Sequence, residues 1–328
     1  MKINNIKVYQ IDIPLKEKAY KWSNSNVVTK FDSSIVVIET DNKIKGVGEV
    51  CNLGSAYLPA YSKGVRSGIL EIGKNLIGKD PININIINHE MDKSLYGHPY
   101  VKSPIDMACW DIIGKYYKAP IWQLFGGKYG EAIDLYRAIS QEDAETMKQR
   151  VNQYKNEGYL KFQLKVGGHY QDDIERIIQI DSILNDSNTL IADANTGWKT
   201  HEALKVINKT SHLNIYYEQP CATYNDCLLI RQKNNNPFIL DESIFSLESF
   251  LKAHQDNAMD IVNLKISKLG GLTRTKQLRD LCVELKIPMT IEDSWGGDIA
   301  TAAISHLAHS TPTDYRFSST DFNSYNAI

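Results

Sequence analysis

Beyond about residue 130, short runs rich in β-branched and aromatic residues recur roughly every 25 residues, and amphipathic stretches of helical length fill the gaps. The runs read AIDLYRA, KFQLKVG, TLIADA, IYYEQP, PFILDES, DIVNLKI, PMTIED and DYRFSS. Strands that alternate with helices pair in parallel, because each crossover returns the chain to the same end of the sheet. Eight such units predict a (β/α)8 barrel in preference to a doubly wound sheet.

The first part of the chain follows a different rhythm. IKVYQIDIPL, SSIVVIET and KIKGVGEV read as an antiparallel meander, the last two joined across Asp41-Asn42. Helical periods follow, clearest in SPIDMACWDIIGKYYKAPIWQLFGG, with Ser103 expected as N-cap and Pro104 at the first helical position. Ile105, Ala108, Cys109 and Ile112 then share one face. Gly126-Gly127 is the expected boundary between an α+β domain (1–127) and the barrel (128–328). The 201 residues of the second part are used up by the eighth strand.

With 37 Lys+Arg against 39 Asp+Glu there is no basic face for a phosphate backbone, so a small molecule is the expected partner and nucleic acid is not. Five cysteines, odd in number and never in a C-x-x-C pair, fit neither a disulfide framework nor a zinc ribbon. No apolar run of about 18 residues is present to span a membrane. The opening MKINNIKVYQIDIPL alternates like a strand and lacks a signal peptide's apolar region, so a soluble, cytoplasmic protein is expected.

Residues with chemical capacity end five consecutive strands: Lys165, Asp193, Glu218, Asp241 and Lys265, at steps of 23 to 28 residues. Such a beat delivers one side chain per strand to a single rim, the one where barrels of this kind build their active sites. Three carboxylates there form a hard-oxygen cluster that would repel itself unless neutralised, and Mg2+ suits it. A lysine near such a cation has its pKa depressed and can serve as a base. Taken singly, each carboxylate could as well cap a helix, Asp193 above all. Glu242 is expected on the opposite face from Asp241, or as a helix cap.

These residues, with GVGEV and IDMACWDIIGKYYKAPIWQLFGG before the barrel, resemble the mandelate racemase and muconate lactonizing enzyme branch of the enolase superfamily along nearly the whole chain. The resemblance implies a modified barrel behind an α+β capping domain, with Asp193, Glu218 and Asp241 as Mg2+ ligands. It also implies Lys165 and Lys265 as bases on opposite faces of a carboxylate substrate; Mg2+ with a lysine or histidine base is the general pattern of that superfamily. Asn195, an implied substrate contact, and Trp198 match DANxxW, and Lys268 belongs to NxKxxKxGG as an expected structural residue. Where the family often has K-x-K, this chain reads Gln163-Leu164-Lys165, so Gln163 is expected to hydrogen-bond the substrate or a metal-binding carboxylate.

KFQLKVGG with DIERI, and IEDSWGGDIATAAISHLA, look narrower still, like cis-3-hydroxy-L-proline dehydratases and the proline-betaine and hydroxyproline-betaine racemases. That implies a cyclic amino acid as substrate. KAYKWSNSNVVTKF and CNLGSAYLPAY correspond to specificity loops; Trp22, Tyr57, Asp293 and Trp295 are the further substrate contacts so implied, the aromatic ones alternatively packing cap on barrel. Dehydration is the leading expectation, racemisation or epimerisation the alternative, and a noncatalytic metal-binding relative the third reading. Relatives are often homo-oligomers and usually continue beyond a segment like DFNSYNAI, which leaves the cap's attachment in question.

Overall fold

The computed structural model describes residues 1–327. Strand β1 (Ile3–Pro14) leads through a small hairpin, β2 (Tyr20–Trp22) and β3 (Asn26–Val28), into β4 (Lys30–Thr40) and β5 (Lys45–Cys51). The three long strands form an antiparallel sheet in the order β1-β4-β5. Its second turn is shaped as the sequence suggests: the Asn42 side-chain oxygen accepts from Thr40 Oγ1 (2.6 Å) and from the Ile44 amide (3.2 Å). The β2–β3 hairpin was not legible, since its strands are three residues each and KAYKWSNSNVVTKF reads as a loop.

Helices α1 (Ser62–Leu76), α2 (Ile84–Ser94) and α3 (Pro99–Tyr117) cover this sheet. Val36 and Ile38 of β4 pack with Ile69, Ile72, Ile105, Ala108, Cys109 and Ile112, so the expected apolar face of α3 is the buried one. The helix begins earlier than expected, at Pro99, with His98 rather than Ser103 as its N-cap and Pro104 inside it. Pro104 deletes one intrahelical hydrogen bond, and burial of every residue from Tyr100 to Cys109 offsets the loss. GVGEV has its own explanation in close approach. A Cβ on Gly46 or Gly48 would lie 2.1 Å from the Ala108 carbonyl oxygen or 1.9 Å from that of Pro104, so α3 rests directly on the β5 backbone.

After the short α4 (Ile121–Leu124) come eight strands: β6 (Tyr136–Ile139), β7 (Lys161–Lys165), β8 (Thr189–Asp193), β9 (Ile215–Glu218), β10 (Phe238–Leu240), β11 (Ile261–Lys265), β12 (Met289–Glu292) and β13 (Arg316–Ser319). Every expected run overlaps one. All neighbours pair in parallel in chain order, and a bridge between Leu135 and Ser319 closes the ring. Helices α5 (Ala144–Asn156), α6 (Tyr170–Asp181), α7 (Thr200–Thr210), α8 (Tyr224–Arg231), α9 (Leu247–Gln255), α10 (Ile266–Leu269), α11 (Leu272–Glu284) and α12 (Asp298–His309) follow β6 to β12, two of them after β11. Alternate residues such as Phe162, Leu164, Leu190 and Ala192 enter the large core, while Ile191, Ile239 and Ile261 form a separate plug inside the ring. Among the described residues, no helix is long and apolar enough to cross a membrane.

Two buried carboxylates dock the first domain on helix N-termini of the barrel. Glu49 of β5 accepts from the Gly297 amide (2.8 Å) and the Ala300 amide (2.9 Å) at the start of α12, and from Ser33 Oγ (2.7 Å). Asp106 of α3 accepts from the Thr273 amide (3.0 Å) at the start of α11 and from Asn88 Nδ2 (2.7 Å). Unsatisfied N–H groups and the positive end of the helix dipole make such termini natural carboxylate sites. The attachment left in question above is also made: the Lys16 amide donates to the Tyr325 carbonyl (2.9 Å), and the Ala327 amide to the Pro14 carbonyl (2.8 Å). Glu49→Ala, which strands two buried amides and a hydroxyl, is expected to lower unfolding free energy by about 2–4 kcal/mol, measured by urea denaturation, with Glu49→Gln losing less.

Candidate active site

Parallel register places the chemistry. Lys165 pairs with Asp193 and Asp193 with Glu218 in neighbouring strands, and Lys265 pairs with Glu292, so these residues stand at one height around the ring. Asp241 follows directly on β10. Lys165, Asp193, Glu218, Asp241 and Lys265 are all buried. Since β7 and β11 lie four strands apart in a ring of eight, the two lysines face each other across the barrel. Both line one small cavity.

Opposite charges pair there. Lys165 Nζ contacts Asp193, and Lys265 Nζ contacts Asp241. Lys268 Nζ donates to Asp241 Oδ1 (2.7 Å) and to its carbonyl oxygen (2.6 Å), so Lys268 is a buried clamp on that carboxylate. Glu218 has no lysine contact; Gln163 Nε2 donates to its Oε2 (2.9 Å) and Asn263 Nδ2 to its Oε1. Gln163 thus holds a carboxylate and also lines the cavity. Asn195 takes a left-handed φ of 40°, which lets its amide donate to Asp193 Oδ1 (2.8 Å) and its Nδ2 to Glu242 Oε1 (3.0 Å).

The protonation pattern follows. Burial raises the Glu218 carboxyl well above the usual range, and Asp193 and Asp241 push it the same way. Burial also works on Asp241, but Lys265 and Lys268 outweigh it and hold that carboxyl low. For Lys165, burial disfavours the ammonium, yet Asp193, Tyr20 and Glu218 outweigh it and raise its pKa; Lys265 is raised likewise by Asp241, Glu292 and Glu242. In the chain alone the lysines therefore hold their protons. A cation that claims the carboxylates would remove the attraction that keeps them there.

Do the residues fit Mg2+? As they stand, no three ligand-type side chains among the described residues converge closely enough to hold an ion. The donor set nevertheless suits one: Asp193, Glu218 and Asp241 present hard oxygens only, and Asn195 Oδ1, Glu242 Oε2, Asn263 Oδ1 and Glu292 Oε1 around them are buried oxygens with no hydrogen-bond partner. The rim is rich in acceptors and short of positive charge.

Several expectations change. Trp22 does not line the cavity; it stands behind Tyr20, ring centres 6.0 Å apart, and Tyr20 forms the wall. Strand alternation in the hairpin turns Tyr20 and Trp22 the same way, and only packing decides which reaches the site. Asp293 lines the cavity, but both its oxygens are taken by Ser267 and Ser294. Its neighbour Glu292 carries the free oxygen, 3.6 Å from Lys265 Nζ, while its Oε2 accepts from Tyr136. Parity in PMTIED, which turns Thr290 and Glu292 inward, was the available signal. Glu242 does not turn away either: β10 ends at Leu240, alternation stops, and Glu242 meets Asn195. Burial, then Asp241 and Asp193, push its carboxyl up to about 8. Trp295 and Tyr57 do line the cavity, Trp295 stacked on Phe31 at 4.2 Å.

Residues 11–126 match the mandelate racemase / muconate lactonizing enzyme N-terminal domain, and residues 146–327 the enolase C-terminal domain-like family. The chain belongs to the mandelate racemase and muconate lactonizing enzyme branch of the enolase superfamily. A cis-3-hydroxy-L-proline dehydratase from Roseibium aggregatum is 55% identical over 328 residues, all of this chain and 89% of that protein. An N-succinyl-L-Arg/Lys racemase from Bacillus cereus is 31% identical, over 94% of this chain and 85% of that one. Among solved structures, a mandelate racemase/muconate lactonizing enzyme from Roseovarius nubinhibens superposes with a TM-score of 0.97 at 37% identity, covering 100% of this chain and 88% of that one. Another from that organism, complexed with magnesium, gives 0.96 at 29%, covering 99% and 89%. This superfamily member is an enzyme, not a noncatalytic relative.

Tyr57 ties the loop after β5 to the site, its hydroxyl donating to Asp241 Oδ2 (3.0 Å) and accepting from Lys265 Nζ (2.5 Å). Tyr57→Phe is expected to speed amide hydrogen exchange in residues 53–61 about tenfold, the loss of roughly one hydrogen bond to charge, with the barrel strands unchanged.

Proposed function

We propose that this enzyme dehydrates cis-3-hydroxy-L-proline to Δ1-pyrroline-2-carboxylate in an Mg2+-dependent reaction. The observation that carries the proposal is the pair of lysines facing one small cavity from opposite strands. In cis-3-hydroxy-L-proline the hydroxyl lies on the carboxylate's side of the ring, so the α-proton and the hydroxyl leave from opposite faces. One lysine can take the proton while the other gives one to the departing hydroxyl. The 55% identity to a protein of that activity supports the same reading.

Asp193, Glu218 and Asp241 would hold Mg2+. Bound there, the ion supplies positive charge that offsets the negative charge developing on the substrate carboxylate. Gln163 and Asn263 keep Glu218 oriented, and Lys268 keeps Asp241. Tyr20, Tyr57, Trp295 and Phe322 wall the cavity against water and pack on the ring methylenes. Glu292, with Tyr136 behind it and one oxygen free, receives the ring ammonium. A neutral lysine removes the α-proton to leave an enolate, the C3–O bond breaks as the opposite lysine protonates the hydroxyl, and water departs. The enamine so formed moves a proton from nitrogen to C3 and becomes the pyrroline.

A substrate without a hydroxyl at C3 would be reprotonated from the other side, which is racemisation. The 1H NMR spectrum in D2O with Mg2+ separates the outcomes: a pyrroline product from cis-3-hydroxy-L-proline supports dehydration. Inversion of proline betaine without turnover of the hydroxyproline would replace it by racemisation, and no α-proton exchange in either would sink the cyclic-amino-acid reading. Lys165→Ala and Lys265→Ala are each expected to slow dehydration about 10²–10⁴-fold. Only one of them should retain α-deuterium incorporation, since the acid's loss leaves proton removal intact. With trans-3-hydroxy-L-proline, whose proton and hydroxyl share a face, turnover should fall at least about 100-fold. Asp193→Asn and Glu218→Gln are expected to abolish Mg2+ binding by calorimetry together with turnover.

A further inference from the structure

Behind each lysine stands a buried aspartate. Asp173, in the first turn of α6, is fully buried and lies outside the cavity. Its Oδ2 accepts from the amides of Gly167 (3.0 Å) and Gly168 (2.9 Å) and from Trp198 Nε1 (2.8 Å), while Oδ1 accepts from Arg176 Nη1 (2.7 Å). Gly167 comes two residues after Lys165, and Trp198 closes the loop that follows Asp193. The loops also interlock, because a Cβ on Gly167, where φ is +86°, would lie 2.1 Å from the Ala194 carbonyl oxygen. One carboxylate thus joins the strand end that carries Lys165 to the strand end that carries its partner Asp193.

Asp293 makes comparable links on the far side of the ring, although it also lines the cavity. Its Oδ2 accepts from the amide of Ser267, two residues after Lys265 (3.1 Å), and its Oδ1 from the Ser267 hydroxyl and the Ser294 amide (2.7 Å). It joins the end of β11, which carries Lys265, to the end of β12, which carries Glu292. Neither aspartate bonds its lysine directly; the lysine amines meet the charged rim, Tyr20 and Tyr57.

We propose that Asp173 and Asp293 are positioning residues, each fixing the aim of one lysine: Asp173 that of Lys165, and Asp293 that of Lys265. The proposal rests on the two-lysine reading above. A long, flexible amine reaches a fixed point only if its strand end is fixed, and a misplacement of about 1 Å costs on the order of 100-fold in rate. Because each aspartate serves one lysine, the two halves of the reaction can be weakened separately.

Asp173→Asn and Asp293→Asn, loaded with Mg2+ and given cis-3-hydroxy-L-proline in D2O, are read for α-deuterium incorporation and for pyrroline formation. Asp173→Asn is expected to show the exchange-to-dehydration ratio of Lys165→Ala, and Asp293→Asn that of Lys265→Ala, with rates about 10–100-fold below wild type. Equal loss of exchange and dehydration in both variants, or the opposite assignment, overturns the proposal. A readout that does not depend on substrate uses 13Cε-labelled lysine: Asp173→Asn should shift the Lys165 resonance and leave Lys265 in place, and Asp293→Asn should do the reverse. If both resonances move in each variant, or neither does, the proposal fails even where the dehydratase reading stands. An inactive wild type that shows the selective shifts removes the dehydratase reading and retains the positioning. Should either aspartate variant not fold, Trp198→Phe and Ser267→Ala remove one donor from each aspartate and test the same pattern.

Discussion

The buried ring of charged side chains at the C-terminal ends of β7 to β12 is the constraint on which the other features depend. Carboxylates and ammonium groups taken out of water are costly, and they persist only when each finds partners of opposite charge or hydrogen-bond donors. Parallel register supplies two such partners, Lys165 beside Asp193 and Lys265 beside Glu292, while Asp193 and Glu218 stand side by side as like charges. Glu218, which has no lysine on it, is held by the two amides of Gln163 and Asn263. The same low-dielectric setting makes the charges chemically useful, since interactions screened in water are felt strongly there.

Such a ring needs a cover, and the N-terminal domain provides one. Glu49 and Asp106 sit on the N-termini of α12 and α11, so the docking uses amide groups those helices would otherwise leave unsatisfied. The β2–β3 hairpin reaches the barrel loops through Ser23 Oγ on the Asn195 carbonyl (3.0 Å) and through the Lys21 carbonyl, which accepts from Gln141 (2.9 Å). Tyr20 comes in with it, and its ring meets Trp295 at 5.0 Å. Residues Phe322 to Ala327 complete the wall: the Tyr325 hydroxyl accepts from the Ala138 amide (2.8 Å), and Arg137 stacks on its ring at 3.7 Å. The cavity is therefore shared between domains, with chemistry from the barrel and much of the shape from what lies over it.

The eight barrel strands and the five rim residues were legible because a buried parallel strand is a short apolar run and a chemical residue at its end breaks that run at a regular interval. The errors occurred where a periodic rule was carried past the element that obeys it. Alternation misplaced Glu242 because β10 stops at Leu240. Cap chemistry misplaced the start of α3, since Ser-Pro is a good helix opening and burial carried the helix through it. Trp22 packs behind Tyr20, the alternative given for it, because the surrounding packing and not strand alternation decides which ring reaches the cavity. Glu292 went unnamed although strand parity in PMTIED turns it inward.

By itself the sequence determined the two-part organisation, the parallel barrel, the set of carboxylates and lysines at its rim, and the superfamily. The first three are written in local periodicity and spacing, and the superfamily in a resemblance of motifs, all of which a chain carries without its fold. Only the tertiary structure decided which oxygens are satisfied and which are free, that Lys268 clamps Asp241 and Glu292 faces the cavity, and that Asp173 and Asp293 stand behind the lysines. Those facts depend on which residues far apart in the chain meet, to within a few tenths of an ångström. Hydrogen bonding and charge respond to that distance, whereas strand and helix patterning does not.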